Sequence, residues 1–319
     1  MRLLVTGGAG YIGSVVTAQL LDQRHAVHVV DDLSSGFRSA VPPGATLTVC
    51  PIGHAEAVLR QTRVDAILHF AAKSLVGESV LDPTVYWETN LVGTLRLLQA
   101  ARTCGVSRFV FSSTAATYGQ PARSPITEAE VPNPINPYGQ SKLAVDHVLA
   151  AEARAYGLAA VSLRYFNVGG ALGPYGERHQ PETHLIPTVL AVAAGRTRHF
   201  EVFGTDYPTS DGTAVRDYLH VDDLGRAHLA ALDAAVPGQH RVYNLGTGTG
   251  YSVGEVLSVC RDVTGHAIPA RITDRRPGDP VELVASAQRI RSELGWQPLL
   301  GLERTVADAW TFMRRQDAA

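Results

Sequence analysis

Short apolar runs alternate with longer stretches in which apolar residues recur every three to four positions. "RLLVTG", "AVHVVD", "TLTVC", "VDAILHF", "RFVFSS" and "LAAVSLRYFN" have the length and β-branched content of buried strands. Between them, Tyr11 to Arg24, Gly53 to Arg63, Val85 to Cys104 and Tyr138 to Tyr156 read as helices. Asp82-Pro83 marks a helix start, because proline is tolerated in a first turn. Such alternation predicts βα units feeding a parallel sheet with helices on both faces. The expected class is α/β, a doubly wound parallel sheet over residues 1–167 with a smaller C-terminal α/β unit over 168–319.

The change of character comes after Asn167. "VGGALGPYGERHQPE" is rich in glycine and proline and has no periodicity, so it is expected to be loop. Beyond it the pattern predicts a helix from Thr183 to Gly195, a strand in "HFEVFG", a helix starting at "VDDLGRAHLAAL" and a strand in "RVYNLG". Ser252 and Glu255 form a capping box for a helix reaching Thr264, and Gly295 has the place of a residue closing the helix before it. The strand near 241–245 could return to the first sheet, in which case the boundary is not a single cut.

At 319 residues the chain exceeds what one core usually fills, which favours two unequal lobes. A hydrophobic share of 45%, a charged share of 18% and a formal charge of −2 fit a soluble folded protein and supply no basic field for nucleic acid. Cys50, Cys104 and Cys260 are odd in number and widely spaced, so neither a disulfide framework nor a zinc knuckle is expected. No stretch approaches the roughly 18 apolar residues of a membrane helix, and the residues before the first glycines are too few for a signal-peptide core. The expected location is the cytoplasm, with no membrane partner.

Candidate chemistry begins where the first run meets Gly7-x-x-Gly10-x-x-Gly13. Glycines so placed permit a tight turn and let backbone approach a pyrophosphate, while the N–H groups of the following helix hold the anion. The second run ends in Asp31, 18 residues past Gly13. A carboxylate there accepts from a ribose diol and repels a 2′-phosphate, which favours NAD over NADP, with Asp32 adding charge of the same sign. A glycine-rich turn with no ligand is the bland alternative, and the strand-turn-helix context weighs against it.

"FSSTAATYG" ends the fifth run with Ser112, Ser113 and Thr114, and strand ends of a doubly wound sheet face the ligand crevice. "PYGQSK" sets Tyr138 and Lys142 on one helix face, four positions apart. A phenol with pKa about 10 is a poor base at neutral pH unless its anion is stabilised; a nearby ammonium and a positive nicotinamide ring would both do that. An isolated pair of this kind is usually a surface tyrosine beside a surface lysine. Here a glycine turn, an acidic strand end and a hydroxyl-bearing strand end accompany it.

These features resemble the extended short-chain dehydrogenase/reductases of Rossmann type. "GYIGS", "HFAAKSLVGESV", "RYFNVGG", "FGTDYPTSDGTAVRDYLHVDDL" and "YNLGTGTGYSV" are similar, more narrowly, to the UDP-glucose 4-epimerase family. The resemblance implies that Tyr138 takes the proton of the sugar 4-hydroxyl, Thr114 bridges the two oxygens, and Lys142 holds the nicotinamide ribose and lowers the Tyr138 pKa. Hydride would pass from C4 to NAD and return to the other face of a 4-keto sugar, interconverting UDP-glucose and UDP-galactose.

The resemblance also implies a cofactor set of Gly7, Gly10, Tyr11, Ile12, Gly13, Asp31, Asp32, Ile52, Phe70, Ala71, Ala72, Lys73, Asn90, Ser112 and Tyr165, beside Tyr138 and Lys142. It assigns Asn167, His184, Leu185, Arg216, Arg276 and Asp279 to the nucleotide part of the substrate, and Leu283 to the sugar pocket. It further implies a homodimer, and the chemistry requires no metal; His179 and His184 are not spaced as a zinc pair on one helix turn. His220, Asp222 and Asp223 read as an Asp-rich helix start.

Two departures from the family stand out. Cys50-Pro51-Ile52 replaces an acidic residue expected near the adenine, which implies either weaker adenine binding or reliance on the Ile52 backbone. Leu283 neither clearly excludes nor clearly admits an N-acetyl group. Thr114 is followed by Ala115 and Ala116 rather than the acid pair that a 4,6-dehydratase needs. A 4-epimerase of another UDP-sugar (an N-acetylated sugar, a pentose or a uronate) and a silent NAD-sensing protein stay open as alternatives.

Overall fold

The computed structural model describes residues 1–276 and 279–318. In the first run, Leu3 and Val5 point into one core cluster and Leu4 into another, because successive side chains of a strand leave opposite faces. Both faces are therefore covered, as a run without polar alternation demands. Strands β1 (Arg2–Thr6), β2 (Ala26–Asp31), β3 (Thr46–Val49), β4 (Ala66–His69), β5 (Arg108–Thr114) and β6 (Ala159–Tyr165) are joined by the strand His240–Leu245 in one seven-stranded parallel sheet.

Across the sheet the order is His240–Leu245, β6, β5, β4, β1, β2, β3. The chain builds outward from β1 to β3, then crosses back to β4, so the order reverses between β1 and β4. At such a reversal the flanking loops diverge and leave a crevice beyond the carboxyl ends of the strands. The helix Tyr11–Asp22 covers one face together with Val221–Asp233, and Glu56–Thr62, Gly93–Thr103 and Pro137–Tyr156 cover the other. The second half of the chain thus contributes both a strand and a helix to the first layer system.

The remaining elements form a smaller unit. Val215–His220 lies at its centre, pairing in parallel with Asn167–Gly169 and Glu282–Leu283 and antiparallel with Gly250–Ser252. Phe200–Phe203 pairs with Ala270–Thr273, and Leu185–Ala193, Val253–Thr264 and Leu302–Asp317 pack around one further apolar cluster. The Ser252 and Glu255 capping box is formed, and Gly295 ends its helix at φ 67°.

Three expectations are corrected here. The stretch after Asn167 is not all loop: Asn167–Gly169 is a strand, and Ala171–Leu172 pairs with Tyr175–Gly176. Val215–His220 was hidden by Arg216 and Asp217, charges that break an apolar run but are paired in the fold. The helix expected over Val85 to Cys104 begins at Pro83, and a π-helical stretch, Trp87–Val92, interrupts it before Gly93–Thr103; a short helix, Val76–Leu81, precedes it. Among the described residues no helix is long and apolar enough to cross a membrane.

Candidate active site

The glycine turn joins β1 to the helix Tyr11–Asp22. Gly7 has φ 72°, and a Cβ there would fall 2.5 Å from the Ala71 nitrogen; one on Gly13 would fall 2.2 Å from the Gly7 carbonyl oxygen. Only glycine fits either position. The helix begins at Gly10 with no side-chain cap and no acidic residue in its first turn, so its leading N–H groups are left to an anion. Tyr11 donates its hydroxyl to Gly170 O (2.7 Å) and Ile12 packs in the core, which leaves their backbones as the parts that can meet a cofactor.

Asp31 ends β2 and is 7% exposed. Its carboxylate accepts from the N–H of Ala9 (3.0 Å) and of Leu33 (2.8 Å), tying the glycine turn to the second strand. Burial raises its pKa and these two amides pull against it, with a net rise. Asp32 is exposed and accepts from Ser34 N–H. Ile52 is buried against Gly93 at the start of its helix, so its side chain is turned from the crevice.

Across the switch point, Phe70 stacks near His228 (centroids 4.8 Å apart), and Ala71 and Ala72 continue half-buried to Lys73. Asn90 does not offer its amide to the crevice. Its Oδ1 accepts from Lys73 N–H (2.8 Å), and its Nδ2 donates to Lys73 O and to Ser141 Oγ, both at 3.0 Å. It clamps the loop after β4 to the helix that carries Tyr138. Below it, Thr94 donates its hydroxyl to Asn90 O, so His69 Nε2–H donates to Thr94, and His69 Nδ1 accepts from Thr6. This network fixes a neutral imidazole, and burial together with the Lys142 charge lowers its pKa to about 3.

Asn136 sets the helix Pro137–Tyr156. Its Oδ1 accepts from Gly139 N–H at 2.8 Å, and Pro137 fills the first helical position, so Tyr138 and Lys142 stand on the first two turns. Tyr138 is half-buried and meets the edge of the Tyr86 ring at 6.3 Å. Thr114, at the end of β5, caps the following turn by accepting from Ala116 N–H and is a hydrogen-bond partner of the Tyr138 phenol. The Lys142 ammonium is 2% exposed, lies over the Phe111 ring and donates to Ser112 O at 2.7 Å.

The expectation that Lys142 lowers the Tyr138 pKa does not describe the free chain. Burial raises the phenol above its ordinary value, and the Thr114 hydroxyl is what pulls it back. The ammonium is itself lowered to about 7 by burial, against the support of Asp146 one turn on. That carboxylate pairs with Arg164 (2.9 Å) and accepts from Ser113 Oγ (3.3 Å). Tyr165, directly opposite Thr114 on the neighbouring strand, gives its hydroxyl to His228 Nε2, whose Nδ1 donates to Leu224 O.

Of the residues expected to meet the substrate, Asn167 is half-buried on its strand beside Tyr218. Arg216 and Asp279 pair with each other, and the guanidinium also donates to Val215 O and Pro280 O. Arg276 is exposed and stacks over Phe203, 3.9 Å from the ring centroid. In "RRPGD", Pro277 and Gly278 lie outside the described residues. His184 turns its imidazole to Glu177 and Glu182, and the adjoining Leu185 is half-buried. Leu283 aligns with Arg216 and packs with Ala115, Tyr118 and Phe166, which connects its strand to the turn after Thr114.

Asn136, Asp146 and Asp217 were missed by sequence reasoning. Asn-Pro ahead of a helix was the available signal for the first, and the four-residue step from Lys142 was that for the second. The third had none: Asp217 is fully buried and accepts from Thr247 N–H and Oγ1 (2.7 Å each), Gly248 N–H (3.0 Å) and Ala285 N–H (3.1 Å). His220 caps the helix Val221–Asp233 by accepting from Asp222 N–H, and Asp223 accepts from the N–H groups of Leu299 and Leu300, which are structural duties.

A dinucleotide turn and a Tyr-Lys-Thr cluster on one parallel sheet define an NAD-binding oxidoreductase-like class. The chain belongs to the NAD dependent epimerase/dehydratase family, whose sequence profile matches residues 3–246. It is 52% identical to a UDP-glucose 4-epimerase of Corynebacterium glutamicum over 98% of this chain and 95% of that one. Among solved structures it resembles a UDP-glucose-4-epimerase of Stenotrophomonas maltophila with bound NAD and formylated UDP-arabinopyranose (38% identity, TM-score 0.96, all of both chains). A UDP-glucose 4-epimerase of Bifidobacterium longum in complex with NAD+ and UDP is similar at 36% identity and TM-score 0.94, over 99% of each chain.

Proposed function

We propose that this chain interconverts UDP-glucose and UDP-galactose by C4 epimerisation with NAD as cofactor. The convergence of Tyr138, Thr114 and Lys142 at the end of β5, one strand from the crevice beside the glycine turn, carries this reading. The residues present fit NAD: an uncapped helix start for the pyrophosphate, glycines that admit no Cβ, and a carboxylate at Asp31 for a ribose diol. Bound NAD supplies the hydride acceptor and donor for C4.

The residues of the chain do the rest. Tyr138 accepts the proton of the 4-hydroxyl and later returns it, with Thr114 Oγ1 relaying between the two oxygens. Lys142, whose ammonium rests on Ser112 O in the free chain, turns to hold ribose hydroxyls by charge-assisted bonds. Arg216 anchors the pyrophosphate, so that the sugar can turn over while the nucleotide stays. The Ile52 backbone meets the adenine, since Pro51 offers no N–H.

The test is direct. The purified chain is incubated with UDP-glucose, UDP-galactose, their N-acetyl forms and UDP-pentoses, and products are separated by chromatography. Interconversion of the first pair is expected, with some absorbance near 340 nm during turnover; no product from either would refute the proposal. A pentose or N-acetyl pair turning over faster would favour a sister 4-epimerase, a reading supported by the arabinopyranose nucleotide in the Stenotrophomonas structure.

Arg216→Ala is expected to raise KM for the UDP-sugar by about 10- to 150-fold, the equivalent of one charge-assisted bond of about 1.5 to 3 kcal/mol, with a smaller change in kcat. Unaltered KM would remove Arg216 from the pyrophosphate site.

A further inference from the structure

Among the described residues, Glu177, His179, Glu182 and His184 bring four ligand atoms within 4.8 Å of one another, on the segment between Asn167–Gly169 and the helix Leu185–Ala193. His179 Nδ1 and His184 Nδ1 each lie 2.8 Å from Glu177 Oε1, and His184 Nδ1 is also 2.8 Å from Glu182 Oε1. One Nδ1 carries a single hydrogen, which can lie along one line only, yet His184 faces two carboxylate oxygens at equal distance. Two ring nitrogens and two carboxylate oxygens thus crowd one small volume, where shared imidazole protons hold them together and Glu182 Oε1 also accepts from the N–H groups of Thr183 and His184.

A cation at that point satisfies all four. Ligand atoms held tetrahedrally about 2.0 to 2.2 Å from a zinc ion stand about 3.3 to 3.6 Å apart, so the pairs now at 2.8 Å would open by about half an ångström or more on loading, within the 4.8 Å that spans the group. Two imidazoles with two carboxylates suit a borderline-soft dication better than a hard one, and the two carboxylates balance its charge. Burial differs across the group: the Glu177 side chain is 7% exposed and that of His184 41%, so the site is anchored inside and reachable from solvent. Glu177, His179 and Glu182 also form part of the wall of a cavity of about 400 Å3 whose lining includes Ile186 and Phe312 but not Tyr138.

We propose that Glu177, His179, Glu182 and His184 bind one divalent transition-metal ion, with Zn2+ the first choice, which pins this segment and takes no part in hydride transfer. The proposal is independent of which sugar is turned over. The expectation of no metal rested on a chemistry that needs none and on helical spacing; here the four side chains come from a loop, where residues 2, 5 and 7 positions apart can still meet.

Untagged full-length chain, stripped with a chelator and re-equilibrated with Zn2+, is assayed by mass-spectrometric metal analysis and by calorimetric titration. One Zn2+ per chain, with a rise in Tm on loading, is expected. His179→Ala and Glu182→Gln are each expected to lose the stoichiometric metal while keeping a native far-UV CD spectrum. Co2+ loading of the unmodified chain gives a second readout that needs no variant: visible d–d bands of tetrahedral N/O ligation. Failure to take up Zn2+ or Co2+ would mean a hydrogen-bonded His-Glu cluster only and would overturn the proposal. Uptake that survives both substitutions would overturn it too, by placing the ion elsewhere.

Discussion

Replacing Tyr138 by phenylalanine is expected to lower kcat by about 10²- to 10⁴-fold while NAD stays bound, because the change removes one oxygen and leaves the ring in its packing. The structure adds a condition. In the free chain burial holds the phenol above its ordinary pKa, so Tyr138 is protonated at neutral pH and is no base by itself. The missing stabilisation has to come from the positive nicotinamide ring and from Lys142 once it turns from Ser112 O toward the ribose. Tyrosinate absorbance followed in a pH titration should therefore show one phenol whose pKa falls on NAD loading in the parent chain and not in the variant. Full turnover in Tyr138→Phe would exclude this phenol from the chemistry.

Lys142→Met is expected to reduce turnover by about 10- to 150-fold, the loss of one charge-assisted bond, and at the same time to raise stability at pH 7. The two effects have one origin. A buried ammonium with pKa about 7 against an ordinary value near 10.4 costs about 4 kcal/mol at pH 7, since the unfolded chain holds that proton more tightly. Between pH 7 and 10 the unfolded state binds more protons, so the parent chain gains stability as pH rises through this window. The Tm advantage of Lys142→Met should accordingly be largest near pH 7 and below and shrink toward pH 10. A variant that melts lower than its parent at pH 7 would contradict the assigned burial cost.

Much of this arrangement was legible from residue order. Gly7, Gly10, Gly13 and Asp31 announce their turn because glycine and a strand-end carboxylate act through local geometry, and Tyr138 with Lys142 does so because helical spacing is local too. Partners met across the fold were not legible. Nothing near Asn90 in the chain says that its amide is spent on Lys73 and Ser141, and nothing in "VRDYLH" says that a fully buried Asp217 sits in a strand. Arg216 was assigned to a nucleotide, and Asp279 likewise, but that the two hold one another across 63 residues is a tertiary fact. The loop cluster at Glu177 to His184 escaped for a related reason: its ligands follow no regular period.

Asp217 has a consequence for how this scaffold can change its diet. A single carboxylate holds amides from the segment at Thr247-Gly248 and from Ala285, two residues past Leu283. The Thr247-Gly248 segment and the segment that carries Leu283, the residue proposed for the sugar pocket, are thereby stapled to one strand and held together. Selection for a new hexose or pentose must work through the girth of single residues such as Leu283, and swapping loops wholesale would unfasten both segments together.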